Sequence, residues 1–140
     1  MNIWDDDWGE QPEDWSGGGG RGKAMVGRDA FVGASLYELD PGNFVIYHAH
    51  HGSEELLILL RGQLTLRTPD GERQLDEGEI VHFPAGPAGA HGLRNDGDGT
   101  VRYIMVGTRV SPEVVEYPDL GQVTGQSAHG IFFIHELEDK

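Results

Sequence analysis

The sequence contains no cysteine, and cationic side chains are scarce. The lack of cysteine excludes disulfide bonds and thiolate chemistry. Only 10 Lys and Arg residues stand against 24 Asp and Glu residues, which gives a formal net charge of −14 at pH 7. A surface with this charge repels phosphate backbones and anionic lipids, so we expect no nucleic acid and no membrane among the partners.

Long apolar runs are also missing. No stretch is long enough to span a bilayer, and the first ten residues, MNIWDDDWGE, lack the basic start and the apolar run of a secretory signal. We therefore expect a cytoplasmic protein. The length of 140 residues and the hydrophobic fraction of 37% suit one globular domain with one core.

Glycine is abundant, with 22 residues that supply the backbone conformations of tight turns. Turn signals separate short apolar runs, and Asp70-Gly71 marks a hairpin into a following polar strand. No window shows a helical period, so the pattern predicts an all-β sandwich or small barrel. The predicted strands are residues 34–39, 43–48, 55–60, 63–68, 79–84, 101–108 and 131–134.

The chain divides into three parts. Residues 1–22 form an acidic, Gly-rich leader, residues 23–110 the barrel core, and residues 111–140 a C-terminal extension with one further strand. Within the extension, Ser111-Pro112-Glu113 predicts the start of a short helical turn. Composition favours a flexible leader. The alternative is that its indole rings dock on the barrel or on a second subunit, and these belong to Trp4, Trp8 and Trp15.

Four side chains form a candidate metal site. His48 and His50 lie two apart on a predicted strand, so their imidazoles point to the same face. Glu55 follows after a turn and can add a carboxylate oxygen, and His91 offers a third imidazole after a turn rich in Gly and Pro. Three His and one carboxylate suit a first-row divalent ion that keeps open positions.

The spacing of these residues resembles the cupin superfamily, in particular its small single-domain microbial members. The first cupin motif, G-x5-H-x-H-x4-E-x6-G, is matched without exception by Gly42, His48, His50, Glu55 and Gly62. The second, G-x5-P-x-G-x2-H-x3-N, is matched by Gly78, Pro84, Gly86, His91 and Asn95. It departs at one point, because four residues instead of two separate Gly86 from His91.

The resemblance implies a single cupin, or jelly-roll, barrel that holds one divalent metal ion, Mn, Fe, Zn or Ni, on the four residues. It also implies chemistry on a small organic molecule, as a metal-dependent oxidoreductase such as a dioxygenase, a decarboxylase or an isomerase. The alternative is a non-catalytic module that binds a small ligand. Fold alone does not decide between them.

Other residues receive weaker assignments. His82 and Tyr103 are the candidates for a catalytic role, His82 either as a general base or as a hydrogen-bonded wall histidine. Glu54 alternates to the face opposite Glu55 and should be solvated or paired. The remaining histidines read as exposed, namely His51, His129 and His135.

An apolar lining is expected around the metal. Phe44 and Ile46 share the face of the two strand histidines, and Leu57 and Leu59 share that of Glu55. The strand 101–108 presents either Tyr103 and Met105 or Arg102 and Ile104, and the pattern leaves both open. Such a cup suits a small organic ligand better than a phosphorylated sugar, because no Arg/Lys cluster is evident.

We also expect a homodimer, because unpaired sheet edges invite another strand. Residues 30–34 and 131–134 and the leader Trp residues could be buried together at a two-fold interface. The alternative is that the leader and the tail fold back on their own barrel.

Overall fold

The computed structural model of the protein describes residues 1–11, 20–127 and 130–137, and gives only the backbone of Phe132. Trp15 and His129 lie outside these residues. The described residues form two antiparallel sheets and two short 3-10 helices, at Pro87–Gly89 and Pro118–Leu120. Within these ranges, no helix has the length and apolar character needed to cross a bilayer.

Twelve strands make up the two sheets within the described residues. They are β1 Arg21–Ala24, β2 Val32–Leu39, β3 Phe44–His50, β4 Glu55–Arg61, β5 Leu64–Thr68, β6 Gly71–Leu75, β7 Ile80–Phe83, β8 His91–Arg94, β9 Val101–Thr108, β10 Glu113–Tyr117, β11 Gln122–Ser127 and β12 Gly130–Glu136. One sheet has the order β1-β2-β9-β4-β7, and the other has the order β12-β11-β10-β3-β8-β5-β6. The all-β jelly-roll prediction is confirmed.

Each predicted strand has a counterpart, but four strands were not predicted. These are β1, which crosses the expected boundary between leader and core at residue 22, and β8, β10 and β11. The helical turn predicted at Ser111-Pro112-Glu113 is wrong. Glu113 begins β10 because Val114 and Val115 favour extended backbone and the strand pairs with both β11 and β3.

The hydrophobic core lies between the sheets and is built mainly from leucine. Its fully buried cluster contains Leu39, Leu57, Leu59, Leu64, Leu66, Leu75, Phe83, Leu93, Val101 and Tyr103. The cluster fills the barrel beside the four predicted metal ligands, so their side chains are supported by close-packed leucines.

The outer face of the five-stranded sheet carries a buried charge network. Arg102 on β9 is only 1% exposed, and its Nε donates to Glu38 Oε2 at 2.9 Å. Its Nη1 donates to the carbonyl of Ile3 at 2.9 Å, and its Nη2 pairs with Asp6. Residues from the leader therefore complete the shell of a buried guanidinium.

Two leader indoles cover the same face. The Trp8 ring lies 5.1 Å from the Arg102 guanidinium carbon, and the Trp4 ring lies 4.8 Å from that of Arg61. Lys23 adds a hydrogen bond to the carbonyl of Asp7 at 2.7 Å. Residues 1–11 therefore follow the docked alternative, since cations of the sheet hold their rings and carbonyls.

We expect Glu38→Gln to lower the free energy of unfolding by about 3 kcal/mol, because it leaves the buried guanidinium of Arg102 without its carboxylate on the neighbouring strand. Urea denaturation followed by circular dichroism measures the change. The matched control is Glu72→Gln, which breaks an exposed pair with Arg94 and should leave the midpoint unchanged. Equal midpoints for the two variants would contradict this role of Arg102.

Candidate metal centre

The four predicted ligands come together at one end of the barrel. His48 and His50 lie on β3, and His91 begins β8 directly opposite His48 in the strand register. Their rings are close, with centroids 4.6 Å apart for His48 and His91. Glu55 begins β4 of the other sheet and faces the three imidazoles across the barrel.

The turn before His91 absorbs the two additional residues of the second motif. Its residues Pro87–Gly89 form a 3-10 turn, and the Gly86 N–H donates to the carbonyl of His50 at 2.7 Å. A Cβ on Gly89 would lie 1.7 Å from the Pro84 carbonyl oxygen, so only glycine fits. The compact turn delivers His91 to the site despite the longer spacing.

Backbone carbonyls fix the orientation of two imidazoles. Nδ1 of His48 lies 2.7 Å from the carbonyl oxygen of Ile46, and Nδ1 of His91 lies 2.9 Å from that of Gly89. A nitrogen that bonds to a carbonyl must carry a proton, so Nε2 is the atom that each ring can offer to a cation. Phe83 stacks on the His91 ring at 3.8 Å and holds its plane.

Glu55 supplies a carboxylate oxygen to the same point. Its Oε1 is 3.1 Å from Nε2 of His50 and 3.4 Å from Nε2 of His91. Oε1 of Glu55 and Nε2 of His91 are nevertheless buried without a hydrogen-bond partner among the described residues. Buried polar atoms are rarely left unpaired, so this donor set fits a cation at their centre.

The ionisation of His48 and Glu55 also suits a cation, whereas the Glu55 carboxylate raises the pKa of His50 against the effect of burial. Burial, together with the neighbouring His91, lowers the pKa of His48 to about 4, so its imidazole is neutral at pH 7. Burial alone would raise the pKa of Glu55, but the adjacent nitrogens of His50 and His91 lower it below its usual range. A neutral imidazole and an ionised carboxylate are the forms that bind metal.

A cavity of about 390 Å³ opens beside the four residues. Tyr103 and Met105 line it, which settles the face of β9, and Ile46 lines it as predicted. The remaining wall residues are Tyr37, Val45, Leu93, Val115, Tyr117 and Gln126.

Three of the predicted lining residues lie elsewhere. Phe44 is 45% exposed because the pairing of β3 with β8 shifts register between Val45 and His48, which breaks the alternation. Leu57 and Leu59 are buried in the core cluster and do not line the cavity, which is shallower than the sequence pattern indicated.

The described histidines outside the ligand set lie on the surface. His82 is exposed and its Nε2 is 2.9 Å from Oε1 of Glu54, so the pair sits on the outer face and His82 does not line the cavity. Glu54 was expected to be either solvated or paired, and it is paired with His82. His51 pairs with Glu116 and His135 is exposed, as predicted.

Sequence reasoning missed the six remaining wall residues of the cavity, and it also missed a buried carboxylate that shapes the site. Glu113 on β10 is 7% exposed and accepts hydrogen bonds from the Gly52 N–H at 2.7 Å and from the Ser53 hydroxyl at 2.5 Å. These two residues belong to the turn that joins His50 to Glu55. The distance along the chain hides this contact, and no local signal would reveal it.

The comparisons agree with the fold. The family profile described as the cupin domain matches residues 35–107 of this chain. A search of curated proteins finds no significant match.

Solved structures give more distant likenesses. The chain is 29% identical to a sugar phosphate isomerase of the cupin superfamily from Silicibacter pomeroyi, with a TM-score of 0.72 over 76% of this chain and 68% of that chain. It is 28% identical to a putative sugar phosphate isomerase from Acidithiobacillus ferrooxidans, with a TM-score of 0.76 over 84% and 76% of the two chains. A predicted oxalate decarboxylase from Thermotoga maritima shares the fold, at 18% identity and a TM-score of 0.60 over 65% and 81%.

We expect His50→Ala to reduce metal affinity at least about 100-fold, because it removes one donor from a set whose other atoms are already in place. Elemental analysis of protein purified without added metal, followed by titration of the metal-free protein with Mn²⁺, measures the loss. The matched control is His51→Ala, one residue along the chain, whose side chain pairs with Glu116 on the surface. Unchanged stoichiometry in His50→Ala would refute the ligand assignment.

Proposed function

The chain belongs to the cupin domain family, and we propose that it acts on a small organic molecule at a metal centre formed by His48, His50, Glu55 and His91. The observation that carries the proposal is the pair of buried, unpartnered atoms, Nε2 of His91 and Oε1 of Glu55. They aim at one point next to a cavity large enough for a small ligand.

Any of the four expected ions, Mn, Fe, Zn or Ni, would supply a Lewis acid when bound, and Fe or Mn would in addition supply a redox centre. Decarboxylase and isomerase chemistry can use the first property, and oxidoreductase chemistry needs the second. Two of the similar structures are named as a sugar phosphate isomerase and a putative sugar phosphate isomerase. Their names support chemistry on a small molecule as the function class.

Among the three phenols of the cavity wall, we propose Tyr103 as the proton donor. Its side chain lines the cavity and is 2% exposed, and burial raises the pKa of its phenol well above the usual value. The phenol therefore stays protonated at neutral pH and can donate a hydrogen bond to a substrate oxygen, but it cannot serve as a base.

The second candidate function is a non-catalytic binding module. It is favoured by the position of His82, which lies on the outer face and so cannot act as a base in the cavity. Apart from the four candidate ligands, the acidic groups of the described cavity wall are then the phenols. A module of this kind would bind the same small molecule at the ion without turnover.

Elemental analysis of the native protein, followed by a turnover screen with the identified ion restored, separates the two functions. Retained Fe or Mn with oxygen-dependent turnover supports an oxidoreductase, and oxygen-independent turnover supports a decarboxylase or isomerase. Binding without turnover for every compound supports the module. Protein that holds no ion under any condition would refute both.

For a substrate found in that screen, we expect Tyr103→Phe to lower kcat about 100-fold, because the phenol hydroxyl is lost while the ring remains. KM and metal stoichiometry should change little. The control is Tyr47→Phe, whose ring lies under Arg67 outside the cavity. A kcat equal to that of the unmodified protein would remove Tyr103 from the chemistry.

We further propose that the chain is a homodimer joined through β12. On this edge strand Ile131 is 58% exposed and Ile134 is 63% exposed. Among its described side chains before Glu136, the one titratable group is the imidazole of His135. The opposite edge, β6, reads GERQL and is charged as protected edges are. The described leader residues 1–11 dock on the other sheet, so they do not occupy the β12 edge where a two-fold partner would pair.

We expect Ile134→Glu to convert the dimer into a monomer, because a carboxylate would be buried in an apolar interface. Light scattering at moderate salt and micromolar concentration reports the mass. Ile80→Glu on the exposed edge strand β7, at 62% exposure, is the control and should remain dimeric. A monomeric mass for the unmodified protein would refute the dimer.

A further inference from the structure

We propose that the site accepts a small monoanion with a planar, apolar body, such as an aromatic carboxylate, and discriminates against phosphate esters. The inference deepens the proposed function and rests on its metal centre. It separates this chain from the substrate class in the names of its two most identical described neighbours.

The charge of the loaded centre sets the first condition. Histidine binds metal as the neutral imidazole and glutamate as the carboxylate. Three imidazoles, one carboxylate and a divalent ion therefore sum to one positive charge. One carboxylate or enolate of a substrate balances it, whereas a phosphate monoester carries about −1.5 to −2 at neutral pH.

The cavity wall provides no compensation for the additional charge. Apart from the four ligands, the described lining residues are three phenols, five aliphatic or thioether side chains and one amide, with neither Lys nor Arg among them. A buried anionic oxygen without a cationic partner loses its hydration and gains little in return. The wall therefore penalises the second charge of a phosphate.

Several cations among the described residues are engaged elsewhere. Arg102 lies on the outer face with Glu38 and Asp6, while Arg67 pairs with Asp119 and Arg94 with Glu72. Arg109 borders a neighbouring depression that His50 also lines.

The Arg109 guanidinium is tied to the backbone. Its Nη1 donates to the carbonyls of Gly27, Arg28 and Ala30 at distances of 2.8, 2.5 and 3.2 Å. Reaching into the cavity would leave these three oxygens without their donor.

The shape of the wall indicates the body of the ligand. The rings of Tyr37 and Tyr103 stack with centroids 5.3 Å apart and an angle of 27° between their planes, which gives the cavity a flat aromatic side. Met105 lies beside them and offers a polarizable thioether. A planar aromatic ring can pack on such a surface and contact the thioether as well.

Isothermal titration of the metal-loaded protein tests the inference with a matched pair of probes. Benzoate and phenyl phosphate share one ring and differ in the anionic group, and acetate has the anionic group without the ring. We expect benzoate to bind at least about tenfold more tightly than either of the other two. Metal-depleted protein should lose benzoate binding.

A substitution at the rim provides the converse test. Tyr117 lines the cavity next to His48, with ring centroids 6.3 Å apart. Tyr117→Arg adds a cation and should shift the preference at least about tenfold toward phenyl phosphate. Tyr117→Gln removes the ring without adding charge and should leave the order of the two probes unchanged.

The outcomes distinguish this inference from the proposed function. Protein that holds no ion in elemental analysis refutes the metal centre. Loaded protein that binds phenyl phosphate as tightly as benzoate, or that binds neither, overturns the substrate class alone. An unchanged preference in Tyr117→Arg overturns the argument from wall charge.

Discussion

The pairing of His48 with His91 across β3 and β8 is the contact on which the proposed metal centre depends. It joins two stretches that are far apart in sequence and places their imidazoles on one interior surface. The carbonyls of Ile46 and Gly89 then fix the orientation of both rings through Nδ1. Glu55 can complete the set only because the second sheet packs against this pair over the leucine core.

Glu113 extends this dependence beyond the ligands. Its carboxylate ties the turn that carries the chain from His50 on one sheet to Glu55 on the other. Burial would raise its pKa, but the Ser53 hydroxyl and the backbone N–H groups lower it, so Glu113 stays charged and the tie persists at neutral pH. The geometry of two ligands is thus held from β10, a strand that contributes neither of them.

The difference in charge between the outer surface of the barrel and the cavity lining is a second constraint on the site. In a chain with 24 acidic and 10 basic residues, Arg67, Arg94 and Arg102 form ion pairs away from the cavity. The cavity lining is left with one carboxylate among imidazoles and phenols. This arrangement lets an acidic protein maintain a pocket that is suited to anions once an ion is present.

The sequence predicted that the four candidate ligands would meet because strand parity and fixed spacing are local properties. His48 and His50 share a face by alternation, and the alternation held where the strand was regular. It failed at Phe44 because the register shift in β3 is set by the partner strand. It could not choose between Tyr103 and Arg102, since both have long side chains that either face can bury. The docking of residues 1–11 depends on a buried Arg102, a tertiary contact that composition does not encode.

The turn that carries Pro87–Gly89 has a consequence for how such sites diversify. Its additional residues are coiled into one 3-10 turn, so the backbone enters β8 at the position where His91 meets His48. The loop acts as a length buffer, because insertion changes the amount of coiled backbone and not the point of entry. The same turn excludes any side chain at position 89, because a Cβ on Gly89 would collide with the Pro84 carbonyl. Loop grafts at this rim can therefore vary in length as long as a glycine remains where the backbone turns back on itself.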